Sequence, residues 1–502
     1  MVKENFMKKE IKFHLGLNLL IAVFITIASY VHIPYGNLKA FSIYFIHFLL
    51  LQFSVFGFVY VLSSFKKIFK IVFPILFIIL VSISFWVYTQ DITIDLGMIQ
   101  AIVESNIDIA IDVFSLQFLM YLIVSLICLF YYMKKFSKLN SSSIKSPLFL
   151  VAILAISTFF LVENYKYGAF KRKLPYNAYF GIIKYFKKPN LKLNEVKEPV
   201  KSKEKNIQIV FVLGESLRAD HLSLNGYHRN TNPLLSKKQQ IISFSKVYTP
   251  LTYTAISVPQ ILTNNSIYDK NNKAGVSLFS VLQKAGFSTE WIGNQSIEKS
   301  YKDIVYTNKS VTIIDKFHSV LSFKKEKDLS LLNNFSIDNT STKNKISTIH
   351  MIGSHWYYNS RFDSRFERFK PITSSKYVGS STNEELMNSY DNTVLYLDFF
   401  LNELIEKLKK SSKKTILIYL SDHGEILGED GKWFHAQKHQ ASTNPAMLVW
   451  YSDNFRDNYP LKINQLKLKQ QDSISTDFLF HSILDISGIE NFEYKKEQSI
   501  FK

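Results

Sequence analysis

Cysteine is almost missing from this chain. Cys128 is the sole one in 502 residues, so no disulfide framework can form within it. Basic residues are missing from one stretch: residues 90–113 hold no Lys or Arg but carry Asp91, Asp95, Glu104, Asp108 and Asp112. Elsewhere basic residues dominate, and 60 Lys and Arg against 41 Asp and Glu give a formal charge of +19. Disorder is excluded by 42 Phe, 28 Tyr and a 47% hydrophobic content, and the length suggests two or more structural units. A charge of +19 could suggest nucleic acid, but the distribution argues otherwise. Apolar residues concentrate near the N-terminus in blocks long enough to cross a bilayer.

Five apolar stretches lie at 13–33, 41–64, 69–89, 114–133 and 147–163. Each is near the ~20 residues a helix needs to cross ~30 Å of hydrocarbon. A cleaved signal peptide does not fit, because Ala28-Ser29-Tyr30 is followed by further apolar blocks. Cys128 falls in the fourth block and serves there as a small apolar residue. Lysines mark alternate joints: Lys3, Lys8, Lys9 and Lys12, then Lys66, Lys67 and Lys70, then Lys134, Lys135, Lys138 and Lys145. The joint at 90–113 is acidic. The positive-inside bias places the N-terminus in the cytoplasm, and five spans put everything past Lys166 outside.

Residues 166–205 hold twelve Lys and Arg against three Glu, with Tyr176, Tyr179, Phe180, Tyr185 and Phe186 interleaved. Basic and aromatic residues just outside a span predict a segment lying on anionic headgroups. That location excludes nucleic acid as its partner. The expected organisation is a five-helix transmembrane domain (1–165), a basic amphipathic membrane-surface linker (166–205) and a soluble domain (206–502).

From Ile207 the pattern changes. Ile207–Leu213, Thr415–Leu420 and Ala446–Trp450 are continuous apolar runs of strand length, while 276–285 and 384–409 have helical spacing. This alternation predicts an α/β domain with a parallel or mixed sheet between helices. Ligands in such sheets gather beyond the carboxyl ends of strands. Gly214-Glu215-Ser216 follows the first strand and Ser421-Asp422-His423-Gly424-Glu425 the second. Glu215, Asp422 and His423 thus form a candidate site for Zn²⁺ or Mn²⁺ with a position left open. Read alone, a Glu after a strand is equally an N-cap or a surface charge. Thr252–Pro259 offers Thr254 at a helix opening, where the backbone dipole favours an alkoxide and a bound phosphate. By itself that stretch is an ordinary capped turn; the combination points to a metal-activated nucleophile.

The ordered motifs resemble those of phosphoethanolamine transferases, which include lipid A modifying and colistin-resistance enzymes of the sulfatase and alkaline phosphatase superfamily. They are Val212–Pro233, Thr254–Pro259, Trp291–Gln295, Gly353-Ser354-His355, Tyr390-Asp391-Asn392 and Ser421–Glu425. The resemblance implies that Glu215, Thr254, Asp422 and His423 bind one or two Zn²⁺, with Thr254 the nucleophile. It implies that His355 and His435 hold the phosphoryl group or a second zinc and protonate the leaving group, His439 competing with His435 for that place. His350 is expected to be structural. Asn106 is the one donor-lipid contact carried over.

Three departures stand out. Pro250 and Gln260 occupy places where relatives have cysteines bracketing the nucleophile, so the loop is expected to be held by packing alone. Trp356-Tyr357-Tyr358 stands where relatives often have Gly-Pro or Pro-Pro, which would reshape the acceptor side. Ile109 replaces an acidic residue of the donor region.

The implied reaction moves phosphoethanolamine from phosphatidylethanolamine through a phosphothreonine to lipid A, lipopolysaccharide core or another envelope acceptor. The implied place is a bacterial inner membrane with the catalytic domain in the periplasm. A phosphoglycerol transferase of the lipoteichoic acid type and a non-catalytic membrane scaffold are the rival readings. A sulfatase is disfavoured, because no Cys/Ser-x-Pro-x-Arg motif lies at the nucleophile position.

Overall fold

The structure is a computed structural model, described for residues 2–90, 116–139, 146–166, 168–186, 192–269, 274–298, 300–316, 318, 322, 324–376, 378–435 and 439–502. Asn106 and the acidic joint lie outside the described residues. The chain forms two compact units. One comprises 1–187 with 317–324 and 374–380; the other comprises 188–316, 325–373 and 381–502.

The first unit is helical. Its helices are α1 (Val2–Phe24), α2 (Leu38–Ser63), α3 (Lys66–Gln90), α4 (Leu116–Ser137), α5 (Pro147–Tyr165) and α6 (Tyr176–Phe186). Among the described residues four helices, α2 to α5, are long and apolar enough to cross a membrane. The stretch expected at 13–33 differs. Its helix starts at Val2, so Lys8, Lys9, Glu10 and Lys12 sit on it, and it ends at Phe24 before a 3-10 turn over Thr26–Ser29. Helices α2 and α5 approach closely at Gly57, where any Cβ would stand 2.7 Å from the Ala152 carbonyl oxygen. After α5 the buried Glu163 carboxylate accepts the backbone N–H groups of Gly168 (2.9 Å), Phe170 (2.6 Å) and Lys171 (2.9 Å). This turn, with Gly168 at φ +78°, returns Phe170 and Leu174 to the apolar core. The start of the basic segment is therefore folded onto the helices rather than extended.

The second unit is built on seven strands. They are β1 (Ile207–Gly214), β2 (Ile241–Phe244), β3 (Ser288–Gly293), β4 (Ser310–Ile313), β5 (Lys345–His350), β6 (Lys414–Ser421) and β7 (Met447–Tyr451), in the spatial order β2-β7-β6-β1-β5-β3-β4. β7 pairs antiparallel with both neighbours and the remaining pairs are parallel, so the sheet is mixed.

Alternation along each strand supplies both faces of this sheet. Ile207, Ile209, Phe211 and Leu213 face one core, with α7 (Thr254–Ile261), α8 (Leu278–Lys284) and α10 (Phe478–Ile486). Val210 and Val212 face the other, against α9 (Asn383–Leu408). Burial on both faces explains the unbroken apolar runs. A capping box, Thr382 with Glu385, starts α9. Strands β1 and β6 are paired in register, Gly214 opposite Ser421, so the residues after both strands emerge side by side.

Candidate metal and phosphoryl-transfer site

Glu215 and Asp422 follow directly after β1 and β6, and the Asp422 N–H donates to the Gly214 carbonyl at 3.2 Å. The register of the two central strands therefore delivers both carboxylates to one point. Ser216 adopts φ +58°, a left-handed conformation that a non-glycine residue holds only when its surroundings impose it. Tyr390 of α9 imposes it. Its hydroxyl donates to the Ser216 carbonyl (2.7 Å) and accepts the Arg218 N–H (2.9 Å). The turn aims the Ser216 N–H at Asp422 Oδ1 (3.2 Å) and its Oγ at Glu215 Oε1 (3.0 Å).

Thr254 begins α7, with Tyr253 as the extended residue before it. Its hydroxyl donates to Glu215 Oε2 at 2.9 Å, and Ser257, one turn on, donates to Asp422 Oδ2 at 3.3 Å. Gln295, after β3, donates to Glu215 Oε2 at 3.3 Å.

The His423 ring is buried, with Nδ1 2.7 Å from the Gly424 carbonyl, which assigns the hydrogen to Nδ1. Its Nε2 lies 3.2 Å from Glu215 Oε1 and 3.4 Å from Asp422 Oδ2, yet makes no aligned hydrogen bond. Glu215, Asp422 and His423 each present a ligand atom within 4.8 Å of the others. Two carboxylates and an orphaned imidazole nitrogen, all buried, are the donor set of a divalent cation.

The electrostatics agree. Burial alone would lower the His423 imidazole, but Asp422 and Glu215 outweigh it and raise it to about 10. Burial would raise Glu215, but the imidazoles of His423, His355 and His435 hold it well below the usual carboxylate range. Burial, then the neighbouring Glu215 charge, pushes Asp422 up. A proton on His423 thus stands where a metal charge would be.

The structure brings His355 and His435 to this cluster. Their ring centroids are 5.8 Å apart, and His435 is 4.6 Å from His423. His355 follows β5 and holds its Nδ1 2.6 Å from the Trp356 carbonyl; burial lowers its pKa to about 3. His435 places Nδ1 2.9 Å from Glu425 Oε2. His439 is occupied elsewhere: it caps a short turn through the Ala441 N–H (3.1 Å) and faces Asp430 at 3.3 Å. His350 packs against Trp291 and Tyr301 at the end of β5.

Several residues at the site went unassigned in the sequence. Glu425, fully buried, also accepts from the Tyr358 hydroxyl at 3.0 Å; its place in the Ser421–Glu425 run was the available signal. His423, Glu425 and His435 form a second grouping capable of holding a metal. Ser257 and Gln295 had motif positions but no assigned role.

The expectation that the nucleophile loop is held by packing alone is corrected. Gln260 donates to Asp477 (2.8 Å) and accepts from Thr476 (2.8 Å), so hydrogen bonds tie the end of α7 to the start of α10. A buried amide needs such partners, and they lie more than 200 residues away in sequence.

Comparison with known proteins places these features in a family. The sulfatase sequence profile matches residues 208–489, and a profile described as phosphoethanolamine transferase EptA/EptB matches 52–187. Phosphoethanolamine transferase EptA of Escherichia coli K12 is 31% identical over 312 residues, covering 60% of this chain and 56% of the relative. The chain thus spans about half the length of the curated relatives it matches. The soluble domain of lipooligosaccharide phosphoethanolamine transferase A from Neisseria meningitidis superposes with a TM-score of 0.56 at 29% identity, over 62% of this chain and 98% of that one. The integral membrane form of that transferase covers 96% of this chain and 98% of its own, with a TM-score of 0.56 at 23% identity, a likeness of fold. With more than half its residues matched, and with its ligand-bearing loops gathered at one edge of a mixed sheet, the chain belongs to the sulfatase family.

Proposed function

We propose that this chain transfers phosphoethanolamine from phosphatidylethanolamine, through a phosphothreonine at Thr254, to lipid A or the lipopolysaccharide core. One observation carries the reading. A threonine hydroxyl at a helix opening donates to a buried carboxylate, Glu215, that belongs to a three-residue metal donor set. Relatives named as phosphoethanolamine transferases support the transferred group, and those named for lipid A or lipooligosaccharide support the acceptor.

Glu215, Asp422, His423 and Thr254 Oγ1 would hold zinc, with His355 and His435 available for a second ion. The metal when bound would acidify the threonine hydroxyl and offset charge on the phosphoryl oxygens. Glu215 takes the hydrogen bond of the Thr254 hydroxyl and so orients Oγ1. As Oγ1 attacks phosphorus its proton passes along the hydrogen bond to Glu215, a new P–O bond forms, and the bond to the diacylglycerol oxygen breaks. His435, oriented by Glu425, supplies a proton to the departing oxygen. In the second step the acceptor hydroxyl or phosphate oxygen attacks the phosphothreonine. A histidine takes the proton an attacking hydroxyl carries, the P–Oγ1 bond breaks, and the proton held at Glu215 returns to Oγ1 to restore the Thr254 hydroxyl. The Gln295 amide holds Glu215 Oε2 in place, and His355 stands beside His435.

The reading includes a membrane arrangement. Residues Phe13–Ser29, the apolar part of α1 with its 3-10 turn, make a fifth crossing beside α2 to α5. Lysine-rich joints then face the cytoplasm, and the soluble unit lies on the periplasmic side of a bacterial inner membrane. Residues 168–186, the described start of the basic segment, rest on the headgroup layer, next to donor and acceptor.

The test is mass spectrometry of the full chain in lipid nanodiscs with phosphatidylethanolamine. A mass gain of one phosphoethanolamine group on Thr254, absent in Thr254→Ala, is expected. An unmodified threonine with no diacylglycerol released in the presence of zinc refutes the reading.

A further inference from the structure

Two buried ionisable side chains bind the backbone of the loop that carries His355. Asp328, 3% exposed, accepts the backbone N–H groups of Ile352 (3.0 Å) and Gly353 (2.9 Å) and the Asn294 amide (3.0 Å). Arg361, 4% exposed, donates from Nε to the His355 carbonyl (2.8 Å) and from Nη2 to the Trp356 carbonyl (3.0 Å). That same Trp356 carbonyl lies 2.6 Å from His355 Nδ1. A carbonyl oxygen can only accept, so Nδ1 carries the hydrogen and the lone pair of the neutral ring is on Nε2.

We infer that Arg361 and Asp328 are a pair of positioning residues that clamp the 352–356 loop and fix His355 with Nδ1 protonated and Nε2 free. The anion takes the loop's donors and the cation takes its acceptors, so consecutive backbone groups are satisfied by charge rather than by a strand partner. A planar guanidinium can reach two adjacent carbonyls at once, which a lysine ammonium on its flexible stem does less well. Burying each charge is expensive, and a buried pair of this kind is better understood as fixing one geometry than as adding stability. Without Arg361 the Trp356 carbonyl loses the donor that fixes its direction, and the imidazole is free to turn over. Neither charge touches the reacting atoms; both act through His355.

The kinetic part of the test rests on the proposed transfer reaction, whereas the spectroscopic part does not. The full chain in nanodiscs, labelled with 15N-histidine, reports the His355 tautomer directly, its signals assigned by their loss in His355→Gln. Wild type is expected to show one form, protonated at Nδ1, and Arg361→Gln a mixture. An unchanged single tautomer in both Arg361→Gln and Asp328→Asn overturns the inference, whatever reaction the protein performs.

In transfer assays Arg361→Gln is expected to lower the turnover of wild type by ~10–100-fold, with the KM for phosphatidylethanolamine changing less than about threefold. The same substitution in a His355→Ala background is expected to have no further effect, because the residue it acts through is gone. Equal losses in both backgrounds would mean a general structural role and would also overturn the inference. Arg361→Lys, which keeps the charge but not the fork, is the second variant should the glutamine form fail to fold; an intermediate rate is expected, and a wild-type rate counts against the clamp.

Discussion

Tyr390→Phe removes one oxygen atom and should disturb the site out of proportion to that change. The hydroxyl serves two backbone groups of the turn after β1, the Ser216 carbonyl and the Arg218 N–H, and all three residues are buried. Each lost hydrogen bond leaves a buried polar group without a partner, at about 1–3 kcal/mol apiece, so a loss of roughly 2–6 kcal/mol is expected. For a unit of this size that is a fall in Tm of roughly 4–12 °C.

Part of the loss appears instead as relaxation of Ser216 from φ +58°, which withdraws its N–H from Asp422 and its Oγ from Glu215. Transfer activity should therefore fall as well, by about tenfold or more, since misplacing a reacting group by 1 Å is that costly. The assay is thermal unfolding of the full chain in detergent followed by tryptophan fluorescence, with transfer measured on the same samples. Tyr396→Phe is the internal reference. Its hydroxyl accepts one backbone N–H, that of Leu329 at 2.9 Å, and about half the destabilisation is expected. If Tyr390→Phe melts within 1 °C of wild type and transfers at its rate, the turn is held by something other than this tyrosine.

Three more outcomes are expected. Because His423 is raised to about 10 in the metal-free protein, it is protonated at pH 8. Zinc binding at that pH should release about one proton, read by calorimetry in buffers of different ionisation enthalpy, and zero release would contradict the assignment. Burial raises Asp398 to about 6 despite the N–H groups of Leu234 and Leu235. A carboxyl raised on folding favours the native state below pH 4, and that contribution is lost as pH rises to about 6. Asp398→Asn should remove this component, and an identical pH 4–6 stability slope in both proteins would refute it. His435→Ala should lower transfer by at least ~100-fold and His439→Ala by less than about threefold; the reverse order would exchange their roles.

Much of the architecture was readable in the chain because the central strands are buried on both faces. β1 and β6 are almost wholly apolar over their buried lengths, with Gln208 within β1 and Lys414 at the start of β6 as the long polar exceptions. β2 and β4 escaped, since edge strands of four residues have little pattern to show and Ser310–Ile313 is half exposed. The apolar blocks also announced α2 to α5, whereas α1 runs past the N-terminal edge of its apolar block because a helix does not stop where its charges begin. Among site residues, those attached directly to strand ends were visible from spacing. Arg361, Asp328 and Glu425 were not, because their partners are fixed by a loop's path in space. No period or motif encodes that a guanidinium will meet two carbonyls five and six residues earlier.

The Gln260 hydrogen bonds have a consequence for how the nucleophile segment comes to be held. A covalent staple needs an oxidant and a correct partner before the nucleophile segment is held. Here Gln260, Thr476 and Asp477 find one another as α7 and α10 pack, so the segment is secured in the same event that builds the core. With Cys128 the one cysteine in these 502 residues, no disulfide between them holds this segment. Its hold is instead open to competition from water and denaturant, and it loosens by degrees rather than by the scission of a bond.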